Sequence, residues 1–187
     1  YTTGGISMAN WDKELYKKKL LGYTKQAVTD FLTGLDPEDE DEAGPFYAFA
    51  YDCNAVYGCV LLCMNNEQSF KRTLSNYQKS RFGAKYQSEE GIRGLRYNTG
   101  DWKYQGFDEI GLLEYEEMGE AFDKDFNQGR RQFMEMATEA LLDFMETDEY
   151  KAIPKIENFL AFCIDHDEDL DEALDRLEKL RQARNAG

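Results

Sequence analysis

The sequence predicts a single α+β domain: a central, mostly antiparallel sheet of about four strands flanked by about five helices. Three observations predict it. Residues 46–51 and 57–63 are apolar on both parities, the pattern of strands covered on both faces. Other segments repeat apolar residues three and four apart, the pattern of amphipathic helices. Helices and strands come in runs, without the strict alternation of a doubly wound sheet.

In chain order, residues 1–7 are small and polar and precede Met8, a candidate natural start. Residues 1–8 are therefore expected to be an added or disordered beginning, and 9–187 the domain. Trp11, Leu15, Leu20, Leu21, Ala27, Val28, Phe31, Leu32 and Leu35 keep helical spacing, which predicts one long helix bracketed by Gly34 and Pro37. Residues 36–45 are densely acidic and aperiodic, a solvated connector. The two apolar runs that follow, broken around Asn54-Ala55, read as an antiparallel hairpin. Asn65-Asn66-Glu67 is a helix start, and Phe70, Leu74 and Tyr77 carry that helix to about Arg81.

Residues 83–106 are glycine-rich and irregular, with a short strand expected at 95–97. Helices are expected over 107–122 and 125–147, the second marked by Phe133, Met136, Ala137, Ala140, Leu141 and Phe144. Residues 156–164 read as another buried strand. A final helix spans about 168–184, with acids in its first turn and Arg181 and Arg184 in its last, as the helix dipole favours.

Composition narrows the function. Hydrophobic residues make up 42% of the chain, enough for a core and against disorder. No apolar run approaches the roughly 20 residues that span a bilayer, and no secretory-type start is seen, so a cytoplasmic protein with no membrane partner is expected. The four cysteines, Cys53, Cys59, Cys63 and Cys163, lie mostly in strand-like segments and read as buried free thiols. Cys59 and Cys63 lack zinc-knuckle spacing, and the single histidine, His166, completes no ligand set. Phosphate-cradling glycine motifs and a nucleophile elbow are missing. The acidic run 165–169 fails the calcium-loop pattern at Leu170 and Arg176 and reads as helix capping. No catalytic residue, cofactor or metal is nominated, and a protein without enzymatic activity is expected.

The net charge of −15 is unevenly spread. Residues 36–70 hold eight acids and no base, whereas 71–103 hold eight bases and three acids. That basic stretch also carries Tyr77, Phe82, Tyr86, Tyr97 and Trp102, a composition used by single-stranded nucleic-acid grooves. The anionic remainder repels polyanions, which leaves nucleic acid as the second reading and an uncharacterised hydrolase or transferase as the third. The first reading is a binding protein that presents acids to a basic protein partner. Its candidate contacts are Asp39, Glu40, Asp41, Glu42, Asp101, Trp102, Tyr104, Asp165, Asp167, Glu168 and Asp169. On an extended segment Trp102 and Tyr104 share one face, either as a lid on the sheet or as an exposed anchor beside Asp101.

One constellation is more specific. Phe46-Tyr47-Ala48-Phe49-Ala50, then Met64-Asn65-Asn66-Glu67, then residues 95–104 with Arg96, Tyr97, Asp101, Trp102 and Tyr104, precede the strand 159–164, the Asp165 turn and the closing helix. Their order and spacing resemble the bacterial domain-of-unknown-function family 4303, over roughly residues 9–184. In that family a "FYAFAL" strand precedes a "SANTEE" helix start and an "RWSPxEWxY" segment. Here Tyr97 replaces a tryptophan, and Asn98-Thr99-Gly100 replaces the Ser-Pro turn. The resemblance implies a small cytoplasmic α+β protein of bacteria. Small acidic domains of this kind are similar in character to immunity proteins of toxin systems, and the implied partner is a basic toxin or nuclease-like domain.

Overall fold

The structure is a computed structural model and describes residues 12–39, 42, 44–113 and 126–186. Its elements are α1 (Lys13–Gly34), β1 (Phe46–Asn54), β2 (Cys59–Asn66), α2 (Glu67–Gln78), α3 (Glu89–Arg96), β3 (Tyr104–Gly111), α4 (Phe126–Met145), α5 (Asp148–Ala152), β4 (Lys155–Asp165) and α6 (Leu170–Asn185). The four strands form one open sheet in the order β3-β2-β1-β4. β1 pairs antiparallel with β2, and β2 with β3, while β1 and β4 run parallel. The α+β expectation holds, with the sheet mixed.

β1 lies at the centre, which explains its apolar residues on both parities. Phe49, Tyr51 and Cys53 face a core shared with α1 and α4, where Leu20, Val28, Phe133, Met136 and Leu141 are fully buried. Tyr47, Ala48 and Ala50 face a second cluster with Phe70, Leu95, Trp102 and Phe162. A register shift between Phe46 and Ala48 lets Tyr47 and Ala48 point to the same side, the usual effect of a β-bulge. Buried Thr24 and Tyr51 satisfy each other through a 2.6 Å hydroxyl–hydroxyl hydrogen bond.

Capping sets the helix starts. Asp12 accepts from the Leu15 amide, Asn66 from Ser69 and Ser88 from Gly91. Asp169 forms a capping box with Glu172 at the start of α6.

Two segments differ from the sequence reading. Residues 95–97 are not a strand: Leu95 and Arg96 end helix α3, which buries Leu95 and Gly91. Residues 107–111 belong to edge strand β3, not to a helix, and the rest of the expected helix lies outside the described residues beyond Leu113. Tyr104, Phe107 and Ile110 stand three apart and imitate a helix. The cause is a bulge at Gly106 (φ +59°), where Met64 faces Tyr104 while Leu62 faces Asp108.

Candidate functional site

The carboxyl ends of the parallel strands β1 and β4 lie side by side, with Asp52 near the end of one and Asp165 at the end of the other. Asp165 is 5% exposed and its carboxylate is fully engaged. One oxygen accepts from the amides of Ala55 (3.1 Å) and His166 (3.0 Å), and the other takes Arg130 Nε. It thereby ties the turn after β1, the turn after β4 and helix α4 together. Glu168 accepts from the Asp165 amide at 3.1 Å and from two nitrogens of Arg176. Arg176 also donates to the Cys163 carbonyl (2.7 Å) and the Thr138 hydroxyl (3.0 Å). Burial lowers the Arg176 pKa, but the Glu168 carboxylate more than offsets this and raises it overall.

Outward from this knot lies a groove of about 510 Å³, lined among others by Asp52, Glu90, Asp165, Glu168, Asp169 and Asp171. Arg93 and the lone His166 are also in its wall. Thr99 Oγ1 donates to Asp52 at 2.7 Å, and Arg93 pairs with Asp171 at 2.7 Å, which raises the arginine pKa. Arg130 and Arg176 neutralise Asp165 and Glu168 from behind and Arg93 matches Asp171, which leaves Asp52, Glu90 and Asp169 without an arginine or lysine partner among the described residues and makes the wall anionic. Asp52 and Glu90 were not singled out from the sequence; the signal available was an acid at the end of an otherwise apolar strand.

The predicted contacts separate into two sets. Asp165 and Glu168 are internal struts of the groove floor; Asp169 is exposed in its wall and also serves as the α6 cap, while Asp167 is exposed but does not line this groove. Asp101 accepts from Tyr77 Oη (2.5 Å) and Asn98 Nδ2 (2.6 Å) and is committed to its own turn. Asp39 is exposed, and Glu42 accepts from the Asp36 amide and stands 3.9 Å from Lys103 Nζ. Glu40 and Asp41 lie outside the described residues.

Trp102 and Tyr104 do not share a face. Trp102, 5% exposed, packs in the second cluster with Tyr47 and Phe162, so it is not a surface anchor. Tyr104 packs from the other side against Phe31 (ring centroids 4.9 Å) and Phe46 (6.1 Å). Only Lys103 lies between them, but Trp102 closes the 3-10 turn Thr99–Asp101 whereas Tyr104 opens strand β3, so the two rings are not on one extended segment.

The residues that carry the family resemblance converge on Arg96. Its guanidinium lies 4.0 Å from the Tyr47 ring centroid and 4.9 Å from that of Phe70, and it pairs with Glu67. Its carbonyl accepts from Tyr47 Oη (2.7 Å) and Trp102 Nε1 (2.9 Å), and Asn65 Nδ2 donates to the Tyr47 hydroxyl at 2.9 Å. Burial pushes the Tyr47 phenol pKa up. This clasp joins β1, β2, α2 and α3 and is internal. Among the described residues no group of three or more His, Cys, Asp or Glu side chains is placed to hold a metal ion.

Fold and site define a three-layer α+β domain with an aromatic–arginine clasp on one sheet face and an anionic groove at one sheet end. The family model described as "Domain of unknown function (DUF4303)" matches residues 20–182, and the chain belongs to that family. No curated protein and no solved structure matches it. No helix among the described residues is long and apolar enough to cross a membrane.

Proposed function

We propose that this protein is a binding protein whose anionic groove receives a basic segment of a protein partner, and that it acts as an immunity-type protein that neutralises a basic bacterial toxin domain by covering it. The observation that carries the reading is the groove wall itself, in which Asp52, Glu90 and Asp169 have no arginine or lysine partner among the described residues and Asp171 is matched by Arg93 alone. Its floor is held by partly buried ion pairs, so the exposed acids are presented on a fixed frame. Opposite charge on a partner speeds encounter and selects against other acidic proteins. The protein's own contribution is recognition, with no bond-making step.

The test is genetic and then biochemical. The gene is expected directly beside one for a secreted toxin, and co-expression should restore growth of cells making the toxin domain. The double charge reversal Glu90→Lys and Asp171→Lys, at exposed positions in the groove wall, should abolish rescue and salt-sensitive co-purification. Absence of such a neighbour together with failure to rescue rejects the proposal, as does full rescue by the reversed variant.

A further inference from the structure

Most arginines and lysines of the 71–103 stretch nearest the sheet are already engaged: Arg93 with Asp171, Arg96 with Glu67 and Lys103 with Glu42. The first part of the stretch differs. Residues 71–88 hold five bases and no acid. Of these, Lys71, Lys79, Arg81 and Lys85 are exposed and have no ion-pair partner among the described residues.

The chain shapes this cationic segment around aromatic rings. After α2 it turns back sharply at Gly83, where a Cβ would stand 2.1 Å from the Gln78 carbonyl oxygen, so only glycine permits so close a return. The fold-back leaves a groove of about 750 Å³ lined by Asn76, Tyr77, Arg81, Phe82, Lys85 and Tyr86 among others. Tyr77 and Tyr86 meet edge-on at 4.8 Å. Phe82 is 62% exposed, with the Arg81 guanidinium 4.6 Å from its ring centroid, and Lys85 stands 5.7 Å from the Tyr86 ring. The groove therefore offers ring faces and cations beside those rings.

We propose that this groove binds single-stranded nucleic acid, with Phe82 and Tyr86 stacking bases and Lys79, Arg81 and Lys85 neutralising the adjoining phosphates. Single strands expose base faces that a duplex hides, and aromatic stacking combined with phosphate contact is how such strands are held without sequence readout. An acidic peptide would use the cations and leave the rings idle, so the aromatic floor favours the nucleic acid. The acidic body opposes approach only locally, because its field decays over about 8 Å at physiological salt. The site is independent of the anionic groove.

Fluorescence anisotropy of the full chain with a labelled oligothymidylate of about ten nucleotides tests it. Binding should be saturable, and its logarithm should fall against the logarithm of salt with a slope of about −2, as expected for three phosphate contacts. Phe82→Ala should weaken binding by about tenfold or more. The combined reversal Lys79→Glu, Arg81→Glu and Lys85→Glu should remove it, while Glu90→Lys should not weaken it. No binding at low salt, an unchanged affinity in Phe82→Ala, or equal competition by polyglutamate of the same length overturns the proposal. Phe82→Ala alters one exposed side chain, so it decides the matter even where the triple variant fails to fold.

Discussion

Arg96 and Tyr47 hold each other twice: the arginine's guanidinium lies 4.0 Å from the tyrosine ring centroid, and the tyrosine's hydroxyl donates to the arginine's own carbonyl at 2.7 Å. One contact uses the side chain and the other the backbone, so α3 can neither slide nor rotate on β1 without breaking one of them. Trp102 Nε1 donates to the same carbonyl at 2.9 Å, which locks the turn after α3 as well.

That sharing makes the clasp cooperative. Tyr47→Phe leaves the Asn65 amide group without its acceptor in a buried site and should cost about 1–3 kcal/mol in urea unfolding. Trp102→Ala empties a buried site and should cost about 3–5 kcal/mol. Tyr47→Phe combined with Trp102→Phe should depart from additivity by about 0.5 kcal/mol or more. Additive losses would show that the carbonyl is not a shared anchor.

Gly106 marks the bulge in β3. An alanine there must hold φ near +59° with its Cβ 2.8 Å from Leu61 Cδ2. Gly106→Ala should therefore lower stability by about 1–2 kcal/mol from the backbone alone, read as a drop in Tm. Trimming the contact with Leu61→Ala should not restore it; restoration would assign the cost to the clash instead.

This bulge also explains where sequence reading stopped. Central β1 and β2 were legible because burial on both faces leaves a nearly unbroken apolar run, and edge strand β4 was legible from the apolar residues 159–164 in its second half. The final helix was legible from Leu177 and its acidic first turn. β3 was not: it is an edge strand with alternation interrupted at Gly106, and three-apart rings there counterfeit a helix. The groove was half legible. Asp165, Glu168, Asp169 and Asp171 lie close together in sequence, but Asp52 and Glu90 join them only through the parallel pairing of β1 with β4 and the placement of α3. A parallel partner over a hundred residues away leaves no local trace.

Asp165 and Asp167 are two residues apart and should behave oppositely. Asp165→Asn disrupts a buried carboxylate bonded to Arg130 and two amides, at about 2–3 kcal/mol. Asp167→Asn changes an exposed residue and should stay within about 0.5 kcal/mol. Chemical denaturation of the two variants side by side checks this, and equal losses would contradict the assignment of Asp165 as a strut.

Stability should fall on the alkaline side. Burial, aided by the hydrogen bond to Asp108, pushes the Tyr23 phenol from 10.0 up to about 12, and burial pushes the Cys63 thiol from 9.0 up to about 12. Both groups keep their protons more tightly folded than unfolded. Their contribution is complete below pH 9 and is lost as pH rises through the window from 9.0 to about 12. Urea midpoints measured across that window should decline, and less so in Tyr23→Phe; a flat profile would refute the assignment.

Thiol accessibility gives a further check. Cys53, Cys63 and Cys163 are buried and only Cys59 is partly open. A disulfide-exchange reagent should modify one thiol rapidly in the native protein and all four after denaturation. Rapid reaction at Cys163 would show that the β4 end opens in solution.

Chain order and sheet order disagree in one consequential way: the neighbour that closes the second side of β1 is β4, which leaves the ribosome only after β2 and β3. Until residues 155–165 emerge, a mostly apolar strand waits with one row of amides unclaimed, a template for any other extended peptide nearby. A nascent chain stalled before that point is a sticky fragment, and soluble yield in the cell therefore hinges on how soon residues 155–165 are delivered and docked.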